Sequence, residues 1–244
     1  MRKEGNVYNT DILINGCKQL GIELNEIQIE QFMIYYEFLI EKNKVMNLTG
    51  ITEFDEVMVK HFLDSLAIVK AVDMSKVKRM LDMGTGAGFP GIPLKIVFPQ
   101  VEAVLMDSLN KRILFLQELI EKCRIEKITA VHGRAEEFAK KKEYRENFDL
   151  CVSRAVANLS SLSEYCLPYV KTEGLFISYK SGNIDTEVQN AGNAIKVLGA
   201  QKKEVIKFQL PDSDIERSFI VIQKKKATPA RYPRKAGLPS KEPL

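Results

Sequence analysis

The sequence predicts an α/β protein: a doubly wound, seven-stranded, mostly parallel sheet whose last hairpin is antiparallel, preceded by a helical extension. Three observations carry this expectation. From about residue 76 to 223, short apolar runs alternate with amphipathic stretches, the pattern of repeated βαβ units. The final two apolar runs are joined only by Leu210-Pro211-Asp212-Ser213-Asp214-Ile215-Glu216, too short for a helical crossover, so that pair is antiparallel. Residues 1–75 carry helical spacing instead.

The elements follow in chain order. Asp11 to Leu20 reads as a short amphipathic helix stopped by Gly21. Asn25 caps a longer helix whose stripe of Ile27, Phe32, Tyr35, Tyr36, Leu39 and Ile40 is core packing. Asn43 to Gly50 is a loop, and helical spacing resumes from Phe54 to Val69. His61 within it reads as a packed or hydrogen-bonded residue, not a catalyst. Strands are expected at 79–83, 101–106, 127–132, 148–153, 174–179, 203–209 and 217–223. Helices are expected at 91–98, 110–124, 158–167 and 184–198, with a short turn near 135–140. The organisation is a helical subdomain over 1–75, an α/β domain over 76–223, and a basic, proline-rich tail over 224–244.

Composition narrows the function classes. The 244 residues are 45% hydrophobic, enough to bury a substantial core. No apolar run reaches membrane-spanning length, and Met1-Arg2-Lys3-Glu4-Gly5 lacks a signal-peptide apolar stretch, so the expectation is a cytoplasmic protein with no membrane partner. Cys17, Cys123, Cys151 and Cys166 are scattered without C-x-x-C spacing; they read as reduced, mostly buried thiols, and no metal site is expected. The tail holds seven basic residues (Lys224, Lys225, Lys226, Arg231, Arg234, Lys235 and Lys241) against Glu242 alone, whereas residues 1–223 hold 29 basic and 31 acidic groups. Such a tail attracts polyanions. Arg231, Arg234 and Lys235 are expected on RNA phosphates and Tyr232 against a base, the alternative being a solubilising tail. Because the sheet is complete by residue 223, truncation after Gln223 is expected to leave ligand binding on the sheet intact, the tail standing apart from that site.

The chemistry centres on Asp82-Met83-Gly84-Thr85-Gly86-Ala87-Gly88-Phe89-Pro90-Gly91-Ile92-Pro93, between the first strand and the first crossover helix. Alternating glycines there let backbone approach a bound ligand. A dinucleotide fingerprint would need glycine where Phe89 stands, and Asp82 would repel a diphosphate. Asp82 is placed either to hold the loop or to meet a cationic ligand. Asp107-Ser108 ends the second strand at the interval from Gly84 that puts a carboxylate on ribose hydroxyls; the alternative is a cap for the helix starting near Asn110. Ala135-Glu136 follows the third strand, where a ligand's base would pass, or simply opens a helix with favourable acid. Arg154 follows the fourth strand and needs a ligand or carboxylate partner. Lys180 follows the fifth, as an RNA phosphate contact or a plain surface lysine.

The Asp-x-Gly-x-Gly-x-Gly pattern resembles the first motif of S-adenosylmethionine-dependent methyltransferases, and the sheet with its antiparallel hairpin resembles their Rossmann-like class I fold. The likeness sharpens over five segments in order: Asn47-Leu48-Thr49, His61-Phe62-Leu63-Asp64-Ser65-Leu66, the glycine loop through Leu94, Ser153-Arg154-Ala155-Val156-Ala157, and Tyr232-Pro233-Arg234-Lys235-x-Gly237-x-Pro239. Together they resemble the bacterial 16S rRNA guanine-N7 methyltransferase G family, also called glucose-inhibited division protein B; Thr85 stands where serine is common. The resemblance implies that Gly84, Phe89, Ala135, Glu136 and Arg154 line an S-adenosylmethionine site. It also implies guanine-527, in the 530 loop of 16S rRNA, as substrate. The partner is then 16S rRNA, the small ribosomal subunit or its assembly precursor, met by a monomer. Guanine N7 carries a free lone pair, so neither a general base nor a covalent cysteine is required, and Cys151 and Cys166 read as core. Methylation of another RNA site or of a small metabolite, or RNA binding without catalysis, are the alternatives.

Overall fold

The computed structural model describes residues 8–244; the reading of Met1–Gly5 lies outside them. The extension begins with α1 (Asp11–Gln19) and α2 (Glu26–Met46). Asn25 and Gln28 cap α2 reciprocally, each side chain accepting from the other's backbone N–H at 2.9 and 3.0 Å. The Gln28 and Gln31 side chains donate to the carbonyls of Ile96 and Cys123, docking the helix on the layer beneath.

Helical structure over 54–69 is continuous, as expected, but its winding is not uniform. It runs as α3 (Phe54–Val57), a wide π turn (Met58–Leu63), α4 (Asp64–Leu66) and a 3₁₀ turn (Ala67–Lys70). The reason is burial: His61 to Ile68 are consecutively buried, so no amphipathic stripe sets the winding and packing on all sides does.

The α/β part continues with β1 (Arg79–Met83), α5 (Gly91–Val97), β2 (Glu102–Asp107), α6 (Asn110–Lys122), β3 (Ile128–His132), α7 (Ala135–Phe138) and β4 (Phe148–Arg154). It ends with α8 (Leu159–Cys166), β5 (Val170–Lys180), α9 (Asp185–Asn190), α10 (Gly192–Val197), β6 (Ala200–Gln209), β7 (Glu216–Lys224) and the short α11 (Leu238–Lys241). The helix expected over 184–198 is therefore two, parted at Ala191. The strand order is β3-β2-β1-β4-β5-β7-β6. β1 to β5 pair in parallel; β7 enters between β5 and β6, antiparallel to both.

Alternate residues feed two cores. Met80, Leu105, Val152, Ile177, Phe219 and Val221 join α1, α2, α5 and α6 on one face. Leu81, Met106, Cys151, Phe176, Ile220 and Ile222 join α8, α10 and Tyr232 on the other. The result is three layers with one continuous core shared by the N-terminal helices and the sheet. The four cysteines are free and buried, and burial pushes the Cys17 and Cys123 thiols up to about 12. Among the described residues no helix is long and apolar enough to cross a membrane, and no cluster of His, Cys, Asp and Glu is grouped to hold a metal.

Candidate active site

The carboxyl ends of β1, β2 and β4 meet at the glycine loop. Beneath it, Asp82 is fully buried. Its Oδ2 accepts from Thr85 Oγ1 (2.7 Å) and Gly91 N (2.8 Å), while Oδ1 has no partner among the described residues. Burial raises its pKa to about 6 against the pull of those two donors. Asp82 therefore holds the loop. Gly84 has φ +70°, and a Cβ there would lie 2.5 Å from Val156 Cγ2, so both backbone angle and space require glycine. A Cβ on Gly86 meets nothing closer than 4.0 Å; its constraint is φ +60°. Gly88 faces inward, against Ile92, Tyr35 and Leu116.

Asp107 is 4% exposed and braces the glycine loop and the turn that leads into α6; the cap weighed for it is not formed, since α6 carries no side-chain cap among the described residues. Oδ2 accepts from Gly86 N (2.9 Å) and Arg112 Nη1 (3.1 Å), and Oδ1 accepts from Leu109 N (2.9 Å). A carboxylate offers about four acceptor sites, so one more donor completes it.

Two cavities open beside the loop. The first, about 390 Å³, is lined by Met83, Gly84, Met106, Asp107, Ser108 and Gly133 to Glu136, by Val156, Ala157 and Tyr165, and by Gly237 and Ser240. Its charged lining comprises the carboxylates of Asp107 and Glu136 and the exposed Arg134. The second, about 340 Å³, is lined by Lys60, His61, Asp64, Arg154, Ala155, Tyr179, Lys180, Ser181 and Arg217. Here Asp64, 4% exposed, takes Arg154 Nη1 on Oδ2 (2.8 Å) and Arg217 Nε on Oδ1 (3.2 Å). Thr49 Oγ1 meets His61 Nε2 at 2.8 Å, and Arg154 Nη2 lies 3.3 Å from Nδ1. Burial, then the Arg154 charge, lowers the His61 pKa to about 3, so the ring is neutral near pH 7. A larger hollow of about 750 Å³ between α9, α10 and β6 holds none of the loop residues.

One strand end separates the two cavities. Arg154 and Ala155 face the second, Val156 and Ala157 the first. Ala155 at this junction has φ +56°, a conformation that non-glycine residues hold only when their surroundings enforce it. Ser153 Oγ donates to Met83 O (2.8 Å), fixing the end of β4 on β1.

The residues expected from the sequence are thus divided. Gly84, Asp107, Ser108, Ala135 and Glu136 share the first cavity. Asp82, Gly86, Gly88, Phe89 and Arg154, expected at the same site, are not part of its lining. Phe89 is buried behind the loop, stacked on His61 at 4.4 Å and on Tyr35 at 5.1 Å, with the Arg154 guanidinium 5.0 Å from its ring. Lys180 lines the second cavity, its Nζ bound to Glu187 (2.7 Å) and Ala157 O (3.1 Å), so it is no free surface lysine.

The tail departs most from expectation. Tyr232 is buried in the second core cluster and cannot stack on a base. Arg234 grips both carboxylate oxygens of the fully buried Glu164, at 2.7–3.1 Å, and is not available to phosphate. Lys224 is buried on Glu146 Oε1 and the carbonyls of Leu167 and Val170. Arg231, Lys235 and Lys241 remain exposed. The expectation that the tail stands apart from the sheet's site fails too, because Gly237 and Ser240 wall the first cavity. Asp64, Arg217, Gly237 and Ser240 went unnoticed as site residues; Asp64 and Gly237 sit in segments already singled out, whereas nothing local marks Arg217.

Comparison with known proteins agrees with this architecture. The family model described as rRNA small subunit methyltransferase G matches residues 28–218. A protein of Lachnoclostridium phytofermentans named ribosomal RNA small subunit methyltransferase G is 55% identical over 231 residues, 95% of this chain and 96% of its own. One of the same name from Alkaliphilus metalliredigens is 50% identical over 96% of this chain and 98% of its own. The crystal structure of an SAM-dependent O-methyltransferase from Thermotoga maritima superposes with TM-score 0.52 at 15% identity, over 78% of this chain and 72% of its own, a likeness of fold.

Proposed function

From the premise that this chain belongs to the rRNA small subunit methyltransferase G family, we propose that it methylates N7 of a guanine in the 530 loop of 16S rRNA, with S-adenosylmethionine as methyl donor. The observation that carries the reading is the pair of cavities sharing residues 154–157 as a common wall, one lined by carboxylates and backbone, the other by cations.

The first cavity fits the cofactor. Buried carboxylates suit a ligand carrying ammonium and sulfonium charges and ribose hydroxyls, and they disfavour a diphosphate. Gly84, Asp107, Ser108, Ala135 and Glu136 would hold it, with the unpartnered Oδ1 of Asp82 beneath the loop adding negative charge. When bound, the cofactor supplies a methyl group on a positively charged sulfur. The second cavity, with Lys60, Arg154, Lys180 and Arg217, presents donors of the kind that meet phosphate and the O6 edge of guanine.

In this reading the residues act by placement. Guanine N7 would form its bond to the methyl carbon with its lone pair as the carbon–sulfur bond breaks and that electron pair returns to sulfur, so positive charge passes from sulfur to the base and no proton need move at the acceptor atom. His61 is neutral and held by Thr49, consistent with a positioning part. Orienting two reactants across a shared wall supplies the rate enhancement that a general base would supply elsewhere. Exposed Arg231, Lys235 and Lys241 would extend the phosphate contacts.

The test uses purified chain, S-adenosylmethionine and 16S rRNA, naked and as small-subunit particles, with mass spectrometry of nuclease digests. N7-methylguanosine in a 530-loop fragment is the expected product. A methyl group elsewhere in the RNA refutes the site, and no RNA methylation in either substrate refutes the reading. Sedimentation of the chain alone checks the monomer.

A further inference from the structure

The last residues of the chain are built into the molecule as a strap, not appended to it. Arg145 donates to the carbonyls of Thr228 (2.8 Å) and Tyr232 (2.9 Å), and Thr228 N donates to Glu146 Oε1 (2.7 Å). Tyr232 fills the core beside α8. Arg234 holds Glu164 with its side chain and its own N–H (2.7 Å). Gly237 N donates to Glu136 Oε1 (2.9 Å), and Ser161 Oγ donates to Pro239 O (2.6 Å).

Two of these anchors are buried acids that lose their partners if the strap leaves. Among the described residues, every hydrogen bond to the Glu164 carboxylate comes from Arg234, and the one to Glu136 comes from Gly237. Glu164 is fully buried and Glu136 is 6% exposed. An unpaired buried carboxylate is strongly unfavourable, so the body of the protein is matched to the closed strap. Closure also builds the first cavity, since Gly237 and Ser240 share its lining with Gly84 and Asp107.

We propose that residues 228–241 are the closing wall of the cofactor cavity, and that the Arg234–Glu164 pair, which lies outside the cavity, sets cofactor affinity by holding that wall shut. The inference rests on the first cavity being the S-adenosylmethionine site. Arg234 is a positioning residue: it acts through Gly237 and Ser240 and touches no ligand itself. Apparent affinity falls in proportion to the fraction of molecules that are closed, so a strap closed a tenth of the time raises the cofactor Kd about tenfold.

Two measurements on the full chain test this. The double substitution Arg234→Ala with Glu164→Ala releases the latch without leaving Glu164 as an orphan charge. Its Kd for S-adenosylmethionine, by calorimetry, is expected to rise about tenfold or more, with far-UV circular dichroism unchanged. A variant whose strap amides exchange rapidly but whose Kd equals the wild type's overturns the proposal. Should the variant not fold, hydrogen exchange on the wild type decides: added S-adenosylhomocysteine is expected to slow exchange at residues 234–241, and no change there overturns the wall. A wild type that binds neither compound removes the cofactor reading itself, and with it the strap's role. Wild-type binding with an indifferent strap removes the strap alone.

Discussion

The two cavities either side of residues 154–157 are built on opposite principles. The first is walled by backbone and glycine, and its two carboxylates are pinned by N–H donors from neighbouring loops. The second is walled by long charged side chains held in place by each other, with two arginines from β4 and β7 converging on one aspartate from the extension. Backbone walls give a rigid, close-fitting site; paired cations give a charged face whose geometry depends on every partner remaining in place. The difference matches a small ligand on one side and a polyanion on the other.

Breaking the charged side is expected to have the largest effect. Asp64→Ala leaves Arg154 and Arg217 without their carboxylate. Loss of one partner from a buried pair is worth about 3–5 kcal/mol, and about 3 kcal/mol is expected here because both guanidiniums retain some solvent contact. Urea unfolding measures it. The comparison predicts that cofactor affinity is nearly unchanged in the same variant; a parallel loss would mean that the two cavities are not separate.

Breaking the backbone side comes next. Asp107→Ala frees Gly86 N, Leu109 N and Arg112 as well as any ligand hydroxyl. Cofactor binding is expected to weaken by about 1–3 kcal/mol, read by calorimetry, with RNA affinity retained. Unchanged cofactor affinity would reduce Asp107 to a brace for the glycine loop and the turn before α6.

His61 sharpens the contrast through pH. Its native pKa, about 3, lies below the unfolded value of 6.5. The unfolded chain therefore takes up the proton first, and stability falls as pH drops from about 6.5 toward 3, by up to about 1.4 kcal/mol per pH unit. Asp82, raised to about 6, has the opposite sign, favouring the native state below 3.8 and losing that contribution as pH rises through 6. The difference in unfolding free energy between wild type and His61→Phe isolates the histidine. A pH-independent difference would mean the ring titrates normally.

The smallest effect per residue belongs to the exposed strap cations. Replacing Arg231, Lys235 or Lys241 by Gln is expected to lower the log–log salt slope of RNA binding by about 0.7 per lost phosphate contact. Unaltered slopes would confine RNA to the second cavity and its surroundings.

The sheet was legible because its information is local. Each strand is an apolar run, and the seven residues from Leu210 to Glu216 already forbid a crossover. The glycine loop and Asp107 were legible for the same reason. What was hidden lies in pairings distant along the chain. Arg217 and Asp64 are 153 residues apart, Arg234 and Glu164 are 70, and neither residue in either pair signals the other. Counting charges placed Lys224 and Arg234 on the surface, whereas Lys224 ends in the interior on backbone carbonyls and Glu146, and Arg234 is half-buried on the buried Glu164. The split of Phe89 and Arg154 from Gly84 was equally invisible, since it depends on which side of one strand end each residue falls.

The strap also gives the molecule a sense of its own completeness during synthesis. Gly237 reaches Glu136 across 101 positions. Chains are made N-terminal first at roughly 5–20 residues per second, so Glu136 waits on the order of 5–20 s for its partner on the last wall, and the glycine loop longer. Until Arg234 arrives, the site on α8 that will enclose Glu164 can close only around an unpaired charge. A chain that stops before Arg234 keeps every strand of the sheet yet carries that acid unpaired, and it is expected to be less stable than the complete chain for that reason.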